Sequence, residues 1–72
     1  MTAPDDGRKL QEMASRIREM REIIGYTAGQ MAEKTGVPLG EYERVEAGLH
    51  DPTFNFLHQC AIAFGVDINS LL

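Results

Sequence analysis

TAGQMAEKTGVPLGEYERVEAG, residues 27–48, decides how this chain folds. Thr27 can accept a hydrogen bond from a first-turn amide while Gln30, three residues on, reaches back to the Thr27 amide, the reciprocal cap that starts a helix. Met31 and Ala32 supply a buried face. Gly36 can take the positive φ that ends a helix within one residue, and Val37 offers a small apolar plug beneath the turn. A second short helix follows Pro38. Tyr42 and Val45 are three apart and share its inner face, and Gly48 is its C-terminal stop. The stretch reads as helix, tight turn, helix.

On the N-terminal side, Leu10, Met13, Ile17, Met20 and Ile24 recur every three or four residues, which predicts an amphipathic helix over residues 10–24. Gly25 ends it, and Tyr26 drops its ring into the core with its hydroxyl in water. Residues 1–9 precede the periodic pattern, open with MTAPDDG, and read as a flexible tail. On the C-terminal side, Asp51-Pro52 is a turn signal and Thr53 a cap for a fourth helix. Its buried stripe is Phe54, Leu57, Cys60, Ala61 and Phe64, and Gly65 ends it. Asp67 caps a last helical turn in which Ile68, Leu71 and Leu72 close the base of the core. The pattern predicts an all-α, compact five-helix bundle over residues 10–72, with no strand and no repeat. Its abrupt apolar end suggests the N-terminal part of a longer protein.

Composition narrows the function classes. With 43% hydrophobic and 25% charged residues the chain is too apolar for disorder, and 72 residues support one core. The single cysteine, Cys60, excludes an internal disulfide and reads as a small core hydrophobe. No signal peptide or membrane-spanning run is visible, so a cytoplasmic protein with no membrane role is the default. His50, His58 and Cys60 lack the spacing of a zinc site, and Met13, Met20 and Met31 sit at core spacing. The carboxylates are dispersed, and there is no glycine-rich phosphate loop and no nucleophile beside a histidine, so neither an enzyme nor a cofactor is indicated. The net charge of −4 opposes strong nonspecific attraction to nucleic acid. Residues 1–22 balance Arg8, Lys9, Arg16, Arg18 and Arg21 against five acids, and the deficit lies beyond them. The first-helix arginines read either as a solvated face or as phosphate contacts.

The order of RIREMRE, Gly25-Tyr26-Thr27, MAEKTGV, VEAG and AIAFGVDINSLL closely resembles the lambda repressor/Cro type of helix-turn-helix domain, also called the Xre family. The resemblance implies a lambda-repressor-like, sequence-specific DNA-binding domain of a bacterial-type transcriptional regulator, acting on double-stranded DNA as a homodimer. It implies a structural ion pair between Arg21 and Glu46. The third helix, about residues 38–47, would read the major groove through Leu39, Gly40, Glu41, Glu43 and Arg44, with backbone contacts from Thr27, Ala28 and His50. This chain departs from the family's usual pattern: Ala28 stands where glutamine is usual, Leu39-Gly40-Glu41 where polar or basic residues are usual, and Leu49-His50 where a base follows the glycine. Those departures support the alternative of a protein-interaction module on the same scaffold. Phe56, His58 and Ile62 fall off the buried stripe and form a candidate dimer or docking patch. The Tyr42-to-Glu46 pattern is similar to regulators that carry a cupin-like effector domain.

Overall fold

The computed structural model describes residues 5–72. Four α-helices, α1 (Asp5–Ile24), α2 (Ala28–Thr35), α3 (Leu39–Glu46) and α4 (Phe54–Phe64), are followed by a 3-10 turn, Ile68–Ser70. The fifth element is therefore a single 3-10 turn and not a helix. Asp67 Oδ1 accepts from Asn69 N at 2.9 Å, and Leu71 N already closes the turn on Ile68 O, which leaves no length for α-helical bonds. No strand occurs among the described residues.

Helix α1 begins at Asp5, five residues ahead of the apolar pattern, so residues 5–9 are helix and not tail. This segment offers no apolar residue before Leu10, so hydrophobic periodicity has nothing to register there. The tail assignment for residues 1–4 lies outside the described residues. The C-terminal end of α1 also differs from the stripe. Ile24 is exposed, and the inward position of that turn belongs to Arg21.

The core is built from Ile17 of α1, Met31 and Ala32 of α2, Tyr42 and Val45 of α3, five residues of α4, and Leu71. Leu71 closes the base together with Ile68, which is half-buried and packed against the core, whereas Leu72 is exposed. In α4 the inward residues are Phe56, Leu57, Cys60, Ala61 and Phe64. Two adjacent pairs at a spacing of four form one arc at 100° per residue, and Phe54 lies outside it. Phe54 is accordingly 69% exposed and Phe56 only 3%. The Phe56 ring packs against Tyr42 with centroids 5.9 Å apart, so Phe56 belongs to the core and not to the surface patch. Phe54 instead stacks on His58 at 6.4 Å with rings 7° from parallel.

Local chemistry sets the helix ends as the sequence predicts. Thr27 Oγ1 accepts from Gln30 N at 3.0 Å while Thr27 N donates to Gln30 Oε1 at 2.7 Å. Gly36, at φ 76°, ends α2 with its amide on Ala32 O, and Val37 packs against the core. Thr53 Oγ1 caps α4 by accepting from Phe56 N at 3.1 Å. Tyr26 is half-buried, and the Lys34 ammonium sits 4.7 Å from its ring centroid.

One polar network fixes the angle of α3. Arg21 Nε and Nη2 donate to Glu46 Oε2 at 2.6 Å and Oε1 at 3.1 Å, while Nη1 donates to Tyr26 O at 3.0 Å. The Tyr42 hydroxyl donates to the same Glu46 Oε2 from inside the core. Burial, then the bond to Glu46, drive the Tyr42 phenol far above its ordinary range. Burial, and secondarily the Glu46 charge, push the Cys60 thiol up to about 12.

Two outcomes follow. Arg21→Ala strands a largely buried carboxylate and should cost about 3–5 kcal/mol, whereas Tyr42→Phe removes one donor to a charged group and should cost about 1.5–3 kcal/mol. Urea denaturation reads both, and losses below about 1 kcal/mol, as for exposed pairs, would show that the network is not structural. The second concerns alkali. A folded thiol pKa above its unfolded value of about 8.5 gives stability that is full below that pH and lost as pH rises toward the folded value. The loss should run at about 1.4 kcal/mol per pH unit from roughly pH 9, with Tyr42 joining above about pH 10. Cys60→Ala should flatten the first part of that decline; an unchanged slope would assign it elsewhere.

Candidate nucleic-acid interface

The candidate interface starts from the periodicity of α3. Tyr42, Val45 and Glu46 occupy its inner arc, which turns Leu39, Gly40, Glu43 and Arg44 outward as one strip. Leu39 is 46% exposed, an apolar contact offered to whatever docks on the strip. Glu41 lies at the edge of this strip, half-buried, with Oε2 3.9 Å from Nε2 of His50 in the following loop. The structure thus brings Glu41 and His50 together across the end of the motif. At that distance and exposure the pair offsets Glu41 only when the imidazole is protonated.

The helix starts add a second kind of donor. In α2 the capping box engages the amides of Thr27 and Gln30, and Met31 N reaches Thr27 O at 3.1 Å. No acceptor among the described residues meets the amides of Ala28 and Gly29. In α3, Pro38 provides no side-chain cap, Tyr42 N is bonded to Pro38 O at 3.0 Å, and no acceptor among the described residues meets the amides of Leu39, Gly40 and Glu41. Neither helix start is closed by a carboxylate cap. Both present amide donors and the positive end of a helix dipole, a combination suited to phosphate oxygens. Thr27 is exposed and Ala28 half-buried at the first of these ends.

The far end of α3 is held from α1. Gln11 Nε2 donates to Ala47 O at 3.4 Å and Arg18 Nη1 to Glu46 O at 3.4 Å, beside the Arg21–Glu46 pair. Gly48 has φ 75°, and a Cβ there would lie 2.2 Å from Gln11 Nε2, so the loop after α3 is pressed against α1. These contacts are absent from the sequence reading. Arg18 and Arg21 at a spacing of three hint at a shared face, but nothing in the local pattern marks Gln11. Arg18 therefore serves α3 as well as standing at the surface. The Tyr42 hydroxyl joins the same network, and Tyr42 and Glu46 at a spacing of four on one helix face carry the signal for it.

No group of three metal-ligating side chains occurs among the described residues. None of their helices is long and apolar enough to cross a membrane.

Comparison with known proteins places this geometry. Among curated proteins, no sequence matches at a significant level. Among solved structures, the restriction-modification controller protein C.AhdI from Aeromonas hydrophila superposes with a TM-score of 0.85 at 22% identity. The match covers 90% of this chain and 98% of that one, and its bearing is on the fold. The N-terminal DNA-binding domain of SinR from Bacillus subtilis gives 0.78 at 27% identity over 85% of this chain and 90% of that one. A crystal structure of SinR, the master regulator for biofilm formation, in complex with DNA gives 0.75 at 30% identity, over 82% and 98%. The sequence profile of a family described as a helix-turn-helix domain matches residues 12–71. The chain belongs to that helix-turn-helix domain family, of the lambda repressor/Cro type.

Proposed function

We propose that this chain is the sequence-specific DNA-binding module of a transcriptional regulator, with α3 in the major groove and the start of α2 on the phosphate backbone. The observation that carries the reading is the outward strip Leu39, Gly40, Glu43 and Arg44, set on a scaffold similar to the DNA-bound SinR structure. In this reading Arg44 is the main base contact, as a bidentate donor to guanine. Glu43 accepts from cytosine N4, and Leu39 meets a thymine methyl. Ala28 and Thr27 lie on phosphate through helix-end amides, and His50 and Glu41 flank the groove. The module binds and does not catalyse.

Its charge makes affinity modest. Glu41 and Glu43 repel phosphate unless each meets a base donor, and only Arg44 opposes them on the strip. Pairing two modules would compensate, because a second half-site converts a weak contact into an intramolecular one. We place the homodimer contact on the outer face of α4. There Phe54, His58 and Ile62 recur every four residues, and Ile62 is 60% exposed. A twofold dimer would set its two α3 helices about 34 Å apart. A cytoplasmic location suits DNA as the partner. A cupin-like effector domain in the full-length protein is supported only by the likeness of the Tyr42-to-Glu46 pattern to regulators of that kind.

Fluorescence anisotropy with a mixed-sequence duplex tests the reading. Binding should be measurable near about 50 mM salt and fall linearly on a log–log plot as salt rises. On a duplex enriched from a random pool, Arg44→Ala should remove about 1–3 kcal/mol of discrimination at one base pair. No binding at the low-salt end would reject the proposal in favour of a protein-interaction module.

A further inference from the structure

Between α2 and α4 lies an open cavity of about 380 Å³, lined by Tyr26, Lys34, Gln59, Ile62 and Ala63. Helical period assembles its α4 wall, because residues 59, 62 and 63 stand three and four apart and share one face. The opposite wall comes from the two ends of α2: Tyr26 precedes its cap, and Lys34 belongs to its last turn. None of these five side chains takes part in the outward strip of α3 or in the Arg21–Glu46 network.

Lys34 is the unusual member. It and Arg44 are the only lysine and arginine beyond residue 22, in the acidic part of the chain. Even so, no carboxylate among the described residues lies within 4.0 Å of its ammonium. A cation in the last turn suits the α2 dipole whichever way its side chain runs. Here it runs over the Tyr26 ring, 4.7 Å from the centroid, on the wall of the cavity. A cation–π contact orients an ammonium without neutralising it, so the full positive charge remains for an anion. Beside it Ile62, 60% exposed, and half-buried Ala63 supply apolar surface, and half-buried Gln59 supplies an amide. A mainly apolar wall with a few placed polar groups is the pattern of a small-molecule site, and the volume falls at the small end of the roughly 300–1,000 Å³ such sites span.

We infer that this cavity binds a small amphipathic monocarboxylate, with its carboxylate on Lys34 Nζ and the Gln59 amide and its hydrocarbon body against Ile62, Ala63 and the Tyr26 ring. The charge of the site selects the head group. One ammonium balances a monoanion, whereas a phosphate dianion would leave surplus negative charge on a chain already at −4. A cationic head is repelled, and a neutral alcohol forgoes the charge-assisted hydrogen bond. The size of the cavity selects a short body. The inference stands apart from the DNA reading, and Ile62 is the one residue it shares with the α4 face assigned above to a second copy.

The test is an amide NMR titration of the isotope-labelled chain with hexanoate, hexanol, acetate and inorganic phosphate in turn, at constant pH and ionic strength. Hexanoate should saturate, with its largest shifts at Lys34, Gln59, Ile62 and Ala63, and bind about tenfold more tightly than hexanol or acetate. Lys34→Gln should lower hexanoate to the affinity of hexanol while leaving hexanol binding and the melting temperature unchanged, and Lys34→Arg should restore most of the loss. Ile62→Ser should weaken hexanoate and hexanol alike. Three results would each overturn the inference: hexanoate shifts that spread over the surface or fail to saturate, hexanol binding within about twofold of hexanoate, or Lys34→Gln binding hexanoate within about twofold of wild type. Phosphate that moves the same amides as strongly as hexanoate would also overturn it, because Lys34 would then be a phosphate contact.

Discussion

The Arg21 guanidinium holds together the parts of this domain that must keep a fixed relation. Two of its N–H groups chelate the Glu46 carboxylate at the end of α3, and a third is bound to the Tyr26 carbonyl, one residue before the cap of α2. One planar cation thus registers the recognition helix against both the first helix and the start of the second. Such a pair is a poor source of net stability, because two charges leave water to make it. Its value is geometric. The Tyr42 hydroxyl sharpens that geometry, since its ring is fully buried against Phe56 and gives Glu46 an anchor on the core side.

From that anchor the domain divides into a firm interior and an unusual outer face. Gln11 and Arg18 extend the hold along the end of α3, so three α1 side chains secure it. The strip that faces away is short of positive charge. In the proposed reading, glutamates at positions 41 and 43 would oppose generic phosphate attraction and leave affinity to amides, Arg44 and base-specific acceptors. A reader built this way would trade nonspecific binding for discrimination, and would lean on pairing with a second copy to reach useful occupancy.

Much of the architecture was legible because it rests on local rules. The Thr27–Gln30 cap, the Gly36 turn, the Thr53 cap and the Met31–Ala32 face are set by residues within four positions of each other, and the structure has them where the sequence puts them. Errors arose where a spacing of three or four admits two arcs. In α4 the spacing puts Phe54 at the head of the buried stripe and Phe56 off it, and the packing of Phe56 against Tyr42 reverses that order. Ile24 fits the α1 stripe numerically, yet the adjacent turn is committed to Arg21, and Ile24 faces solvent. The final turn was overcounted because its apolar residues resemble a helix face when only three residues fit before Leu71. In the candidate interface, the placement of Leu39, Gly40, Glu43 and Arg44 follows from helical period alone. The Glu41–His50 approach and the Gln11 contact depend on a loop path that no local pattern encodes.

The account's central claim is that the start of α2 and the outer strip of α3 together form the DNA-facing surface. Backbone amide NMR of the isotope-labelled chain, recorded while the enriched duplex is added, tests it most directly. The account predicts the largest shifts at Thr27, Ala28, Gly29, Leu39, Gly40, Glu43, Arg44 and His50, exceeding any that dimer formation brings to the α4 face of Phe54, His58 and Ile62. Shifts centred on that α4 face, with the α2 start and the α3 strip unperturbed, would contradict it.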